Sequence, residues 1–130
     1  MRRGKRPRRG YRRSASMSKG EKQIQEVLLG KYGLGGFQSQ VAKEIVTPFY
    51  RGTVFFDFHV PPRLFIEFDG GQHHKYTPHF HRTFGQFGKQ CLRDQAKDWW
   101  CEHHGFDMIR VNSITEFRKQ FREWQNGQKD

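Results

Sequence analysis

In the stretch FFDFHVPPRLFIEFDGGQHH, residues 55–74, two strongly hydrophobic runs each carry a carboxylate near their centre, Asp57 and Glu67. A carboxylate in an apolar setting costs several kcal/mol unless it is paired, or else it takes up a proton, so this pair calls for a partner. Strand alternation puts Val54, Phe56, Phe58 and Val60 on one face of the first run and Phe55, Asp57 and His59 on the other. In the second run Leu64, Ile66 and Phe68 oppose Phe65, Glu67 and Asp69. With Pro61, Pro62 and Arg63 as a three-residue hairpin loop, Val60 pairs with Leu64. Asp57 then stands opposite Glu67 with Cβ atoms roughly 5 Å apart, and Asp69 opposite Phe55. Like charges at that separation destabilise a sheet, and a shared cation removes the conflict. Oxygen donors suit a hard divalent ion, Mg²⁺ or Mn²⁺. Such an ion acidifies a bound water and stabilises charge on a phosphoryl oxygen. The competing reading is an ion-pair network in which the two acids meet Arg110, Lys97 or His73.

The elements that must position these acids follow from pattern. SKGE at residues 18–21 is a capping box, and Ile24, Val27, Leu28, Lys31 and Tyr32 continue it as a helical stripe up to the glycine-rich GKYGLGG. FQSQVAKEIV reads as an edge strand and Pro48 to Gly52 as a turn into TVFFDFHV and RLFIEFD. Residues 72–90, rich in His, Gly and aromatics, have no period and read as a long loop. CLRDQAKDWWCEHHG is a helix stopped by Gly105, FDMIRV a short strand, and Ser113 with Glu116 opens a last helix whose apolar face is Ile114, Phe117, Phe121 and Trp124. The order α, β, β, β, α, β, α predicts an α+β fold, a mixed sheet flanked by helices.

Composition bounds the partners. The chain of 130 residues holds 24 Lys plus Arg against 13 Asp plus Glu, formally +11. Residues 1–20 carry nine of the basic side chains and no acid, so the rest is nearly balanced. Residues 1–17 therefore read as a disordered basic arm and 18–130 as one folded domain. Arg2, Arg3, Lys5, Arg6, Arg8, Arg9, Arg12 and Arg13 in the arm, with Lys75, Arg82 and Lys89 in the loop, suit a phosphate backbone, and DNA is the expected partner. No run is apolar enough for a membrane span or secretory signal, which points to a soluble protein of the cytoplasm. Cys91 and Cys101, ten residues apart on one predicted helix, are too far apart for a disulfide. Zinc held by Cys91, Cys101, His103 and His104 would need a spacing no standard site has. Trp99 and Trp100 read as core, and His103 and His104 as complements to the helix dipole.

Asp57, nine intervening residues, EFDGGQHH and then RDQAKDWWCEHHGFDMIRV together resemble the PD-(D/E)XK nuclease superfamily. The likeness is greatest to its branch of very-short-patch repair and related homing endonucleases with an E-x-D-G-x-Q-H signature, and it covers roughly residues 18–125. It implies a restriction-endonuclease-like α-β-β-β-α-β core, with Asp57 and Glu67 as metal-binding acids and the Phe68 carbonyl completing the shell. It also implies a catalytic lysine at position 69, where this chain has Asp69. Candidates to take over are Gln72 and His73, then His74, then Lys97 one turn past Asp94, with Glu21 as an extra acid from the first helix. The expected function is a Mg²⁺-dependent DNA endonuclease of homing, repair or junction type, encoded by a phage or mobile element. One site per chain makes a homodimer the natural unit for cutting both strands. The alternative is a nucleic-acid-binding module that kept the fold without catalysis, which the missing lysine favours.

Overall fold

A computed structural model describes residues 17–69 and 84–128. Helix α1 (Lys19–Tyr32) leads through a 3₁₀ turn into β1 (Gln38–Thr47), β2 (Tyr50–Val60) and β3 (Leu64–Phe68). Helix α2 (Phe84–His103), β4 (Asp107–Val111) and α3 (Ile114–Gln128) follow. The four strands form one sheet in the order β1-β2-β3-β4. The first three are antiparallel neighbours, and β4 runs parallel to β3. This is the mixed α/β architecture that the pattern predicts.

Local chemistry accounts for the helix ends. The Ser18 amide donates to Glu21 Oε1 at 2.9 Å and the Glu21 amide to Ser18 Oγ at 3.2 Å, a reciprocal cap on α1. Gly33, at φ 79, ends that helix with its N–H on the Leu29 carbonyl. At α3 the Ser113 hydroxyl accepts from the Glu116 amide at 3.1 Å, while the Glu116 carboxylate accepts from Gln120.

Two boundaries depart from the sequence reading. The turn before β2 is shorter than Pro48 to Gly52, because Tyr50 and Arg51 already pair with Thr47 and Val46. Thr47 closes it, its hydroxyl accepting from the Phe49 amide and donating to the Tyr50 carbonyl. Residues 84–90 are helical and belong to α2, not to a loop. Gly85 and Gly88 mask the helix by their low propensity, and a Cβ at Gly88 would meet nothing within 4 Å.

The sheet separates two cores. Ile24 and Leu28 of α1 and Phe117 and Phe121 of α3 pack on Phe58, Val60, Leu64, Ile66, Ile109 and Val111. On the other face Ala96 and Cys101 of α2 pack on Ile45, Val54, Phe56 and Phe65. Phe65, wholly buried, has the Phe56 ring at 4.3 Å, His59 stacked at 4.1 Å and Phe106 edge-on at 5.2 Å. Truncating it removes the hub of the α2-side core. Phe65→Ala is expected to cost about 3–5 kcal/mol in urea unfolding, a large share of the ~5–15 kcal/mol typical of a domain. A loss under about 1 kcal/mol would deny the ring that place.

Candidate functional site

The hairpin register matches the sequence reading as far as the backbone pairing extends, Val60 with Leu64, His59 with Phe65 and Phe58 with Ile66. One step on, where Asp57 meets Glu67, side chains replace backbone bonds. The Asp57 amide donates to Glu67 Oε2 at 3.1 Å, and the Phe68 amide donates to Asp57 Oδ2 at 2.8 Å. Each acid thus grips the other strand's main chain. The strict alternation expected along β2 fails at the same point. Phe56 belongs to the α2-side core and Phe58 to the opposite one, so the strand changes face across Asp57.

The neighbouring strand changes with it. Ser39 pairs with Phe58 and Val41 with Phe56, which leaves Gln40 opposite Asp57. Gln40 has φ 54, a left-handed conformation that costs a non-glycine residue about 1–2 kcal/mol. Its side-chain oxygen is enclosed with no hydrogen-bond partner among the described residues, a further cost of ~1–3 kcal/mol.

Side chains from both helix layers converge here. From α2, Lys97 places Nζ 3.1 Å from Glu67 Oε1, with the two side chains only 8% and 4% exposed. The lysine crosses the Phe56 ring, its Nζ 5.3 Å from the centroid. From α1, Glu21 hydrogen-bonds Asp57 side chain to side chain. Glycine at position 20 permits that approach, since a Cβ there would fall 2.1 Å from the tip of the Phe68 ring.

Burial, then the charges of Glu67 and Glu21, push the Asp57 carboxyl up to about 8, although the Phe68 amide opposes this. Three carboxylates against one ammonium leave an excess of negative charge. A divalent cation bound there would offset that excess and replace the proton Asp57 otherwise keeps. Among the described residues no group of three or more Asp, Glu, His or Cys side chains is placed to hold a metal ion. Mg²⁺ does not require one, because it commonly keeps several waters and takes one or two carboxylates from the protein.

A 49-residue stretch of the chain is 37% identical to "Uncharacterized protein 307L" of Invertebrate iridescent virus 6 and covers 38% of this chain and 25% of that one. No family model and no solved structure matches. So short a likeness assigns no family.

Of the sequence-predicted residues, Asp57, Glu67, Lys97 and Glu21 come together. Asp69 is buried one residue past the end of β3, beyond the backbone pairing with β2, and its amide donates to Val111 O on β4 at 2.6 Å. Gln72, His73, His74, Lys75, Arg82 and the arm's Arg2, Arg3, Lys5, Arg6, Arg8, Arg9, Arg12 and Arg13 lie outside the described residues. Lys89 is exposed on α2. Arg110, a rival partner for the acids, holds Asp98 with two contacts of 2.8 and 2.9 Å. Cys101 is buried, its thiol pushed up to about 12 chiefly by burial. The ring nitrogens of His103 and His104 bond the Trp99 and Trp100 carbonyls at 2.9 Å, as dipole complements do. A groove of about 670 Å³ beyond Asp98, between α2, β4 and α3, is lined by Asp98, Glu102, Asp107 and Glu123, an unsuitable wall for phosphate. Sequence reasoning missed Gln40, because nothing in QSQVAK announces a left-handed residue.

The electrostatics fix a sign. Below about pH 4 folded and unfolded chains both keep the Asp57 proton, and above about 8 both lose it. Between these limits only the folded chain keeps it, so this group's contribution to stability falls as pH rises. In EDTA, the thermal midpoint of wild type should fall relative to Asp57→Asn from about pH 4 to about 8. Parallel curves for the two proteins would contradict a raised carboxyl.

Proposed function

We propose that the chain is a Mg²⁺- or Mn²⁺-dependent endodeoxyribonuclease with a PD-(D/E)XK-type site. The observation that carries the reading is the buried Lys97–Glu67 pair beside Asp57. It supplies an ammonium to a site whose sequence lacks the lysine at position 69. A cation bound there would polarise a phosphoryl oxygen and acidify a water. Asp57 and Glu67, with the Phe68 carbonyl, would hold the cation, and Glu21 would add charge from α1.

Lys97 has two tasks in this reading. It pairs with the buried Glu67 carboxylate, and it would present N–H donors to a water or phosphoryl oxygen at the acids. Placement and electrostatic stabilisation of this kind are worth about 10²–10⁴ in rate. Gln72, His73 and His74 remain candidates for proton transfer to the leaving group. The arm and the 73–90 segment would follow the DNA backbone, giving affinity that falls steeply with salt. A break in both strands would take two protomers or two successive nicks. A module that only bound nucleic acid would have no use for a buried acid pair at the cost described above.

Supercoiled plasmid tests this directly. Wild type should nick or linearise it with Mg²⁺ and not in EDTA. Asp57→Ala should abolish cutting, and Lys97→Met should lower it at least about 100-fold while salt-sensitive DNA binding persists. No Mg²⁺-dependent cutting, or undiminished cutting by Asp57→Ala, would leave the binding-only alternative standing.

A further inference from the structure

We infer that Gln40 is a positioning residue of the metal site, its carboxamide oxygen accepting a hydrogen bond from a water on the bound cation. The inference rests on the metal site proposed above and adds a residue that the family resemblance does not supply. Three observations meet at Gln40. It stands opposite Asp57 in the β1–β2 register. It holds a left-handed backbone conformation inside a strand. Its side-chain oxygen is fully enclosed with no hydrogen-bond partner among the described residues.

A purely structural role leaves this combination unexplained. β1 is an edge strand whose Gln38, Ser39 and Ala42 are exposed, so a polar side chain at position 40 could face water. The left-handed conformation would suit Gly or Asn better than Gln. A longer carboxamide there keeps an acceptor on the strand position next to Asp57. A cation's inner-shell water is a strong donor, polarised by the ion, and it is the donor this acceptor lacks. Mg²⁺ retains such waters where the protein provides few direct ligands. The two carboxylates would then hold the ion while Gln40 orients part of its hydration shell.

The test uses the full chain as wild type, Gln40→Gly, Gln40→Asn, Gln40→Glu and Asp57→Asn, with Mg²⁺ titrated by calorimetry and thermal midpoints read in EDTA. Glycine relieves the backbone and removes the acceptor, so Gln40→Gly should melt no lower than wild type without metal yet bind Mg²⁺ about tenfold more weakly, equivalent to about 1.4 kcal/mol. Gln40→Asn tolerates the backbone but withdraws the oxygen by one methylene, and should lose several-fold. Gln40→Glu keeps an acceptor and should bind within about threefold of wild type, or more tightly. Unchanged Mg²⁺ binding by Gln40→Gly, whatever its melting temperature, overturns the assignment, as would weakened binding by Gln40→Glu equal to that by Gln40→Gly. If Gln40→Gly does not fold, Gln40→Asn decides on the same criterion. Tight Mg²⁺ binding by wild type that Asp57→Asn abolishes and Gln40→Gly leaves intact sinks Gln40 alone. No Mg²⁺ binding by wild type sinks the metal site and Gln40 with it.

Discussion

The burial of Asp57 and Glu67 against a single ammonium is the constraint that organises this molecule. Neither acid reaches water, with Asp57 1% and Glu67 3% exposed, and one lysine cannot neutralise both. The rest of the local structure follows from keeping them there. Each acid accepts a backbone N–H from the opposite strand, which lends partial positive charge to oxygens that have lost their solvent. Those bonds form because β2 and β3 stop pairing backbone to backbone at this step. The splay therefore both creates the site and satisfies it.

The same splay explains why two helix layers reach one point. A regular antiparallel sheet would keep the α1 and α2 sides apart by its own thickness. Here β2 changes face between Phe56 and Phe58, and Gln40 on β1 changes with it. Glu21 approaches from one layer and Lys97 from the other. The link through Glu21 also ties the site to the start of the folded chain, since this carboxylate caps α1 at the Ser18 amide as well as meeting Asp57. Glu21 therefore joins Asp57 to the first turn of α1.

Much of this was legible in the sequence, for physical reasons. Element order, the α1 capping box and the hairpin register each rest on local rules: a Ser-x-x-Glu spacing, period-two alternation and a three-residue loop set by Pro61, Pro62 and Arg63. Pairing Asp57 with Glu67 needed only that register. What stayed hidden depends on non-local events. The face change at Asp57 arises from competition between two cores for Phe56 and Phe58, and both residues are equally apolar, so no pattern shows which face each takes. The helical state of residues 84–90 was hidden by glycines whose weak propensity is outweighed once the helix packs.

In the proposed reading, Lys97 would bring from α2 the ammonium that the resemblance implies at position 69. At position 69 the chain has left the hairpin, with its amide bonded to β4 and its side chain in a place only 2% exposed. A lysine there would bury its ammonium beside the end of β3 on a backbone already committed to β4. A helix crossing the sheet offers another route: Lys97 starts farther away, lays its methylenes over Phe56 and delivers only Nζ to Glu67. The long stem would make such a replacement workable, because the aromatic surface takes up the apolar part and the carboxylate the charge. Chemistry of this kind depends on where an ammonium arrives and what lies along its path, so residue spacing in the chain records only one of several ways to bring it there.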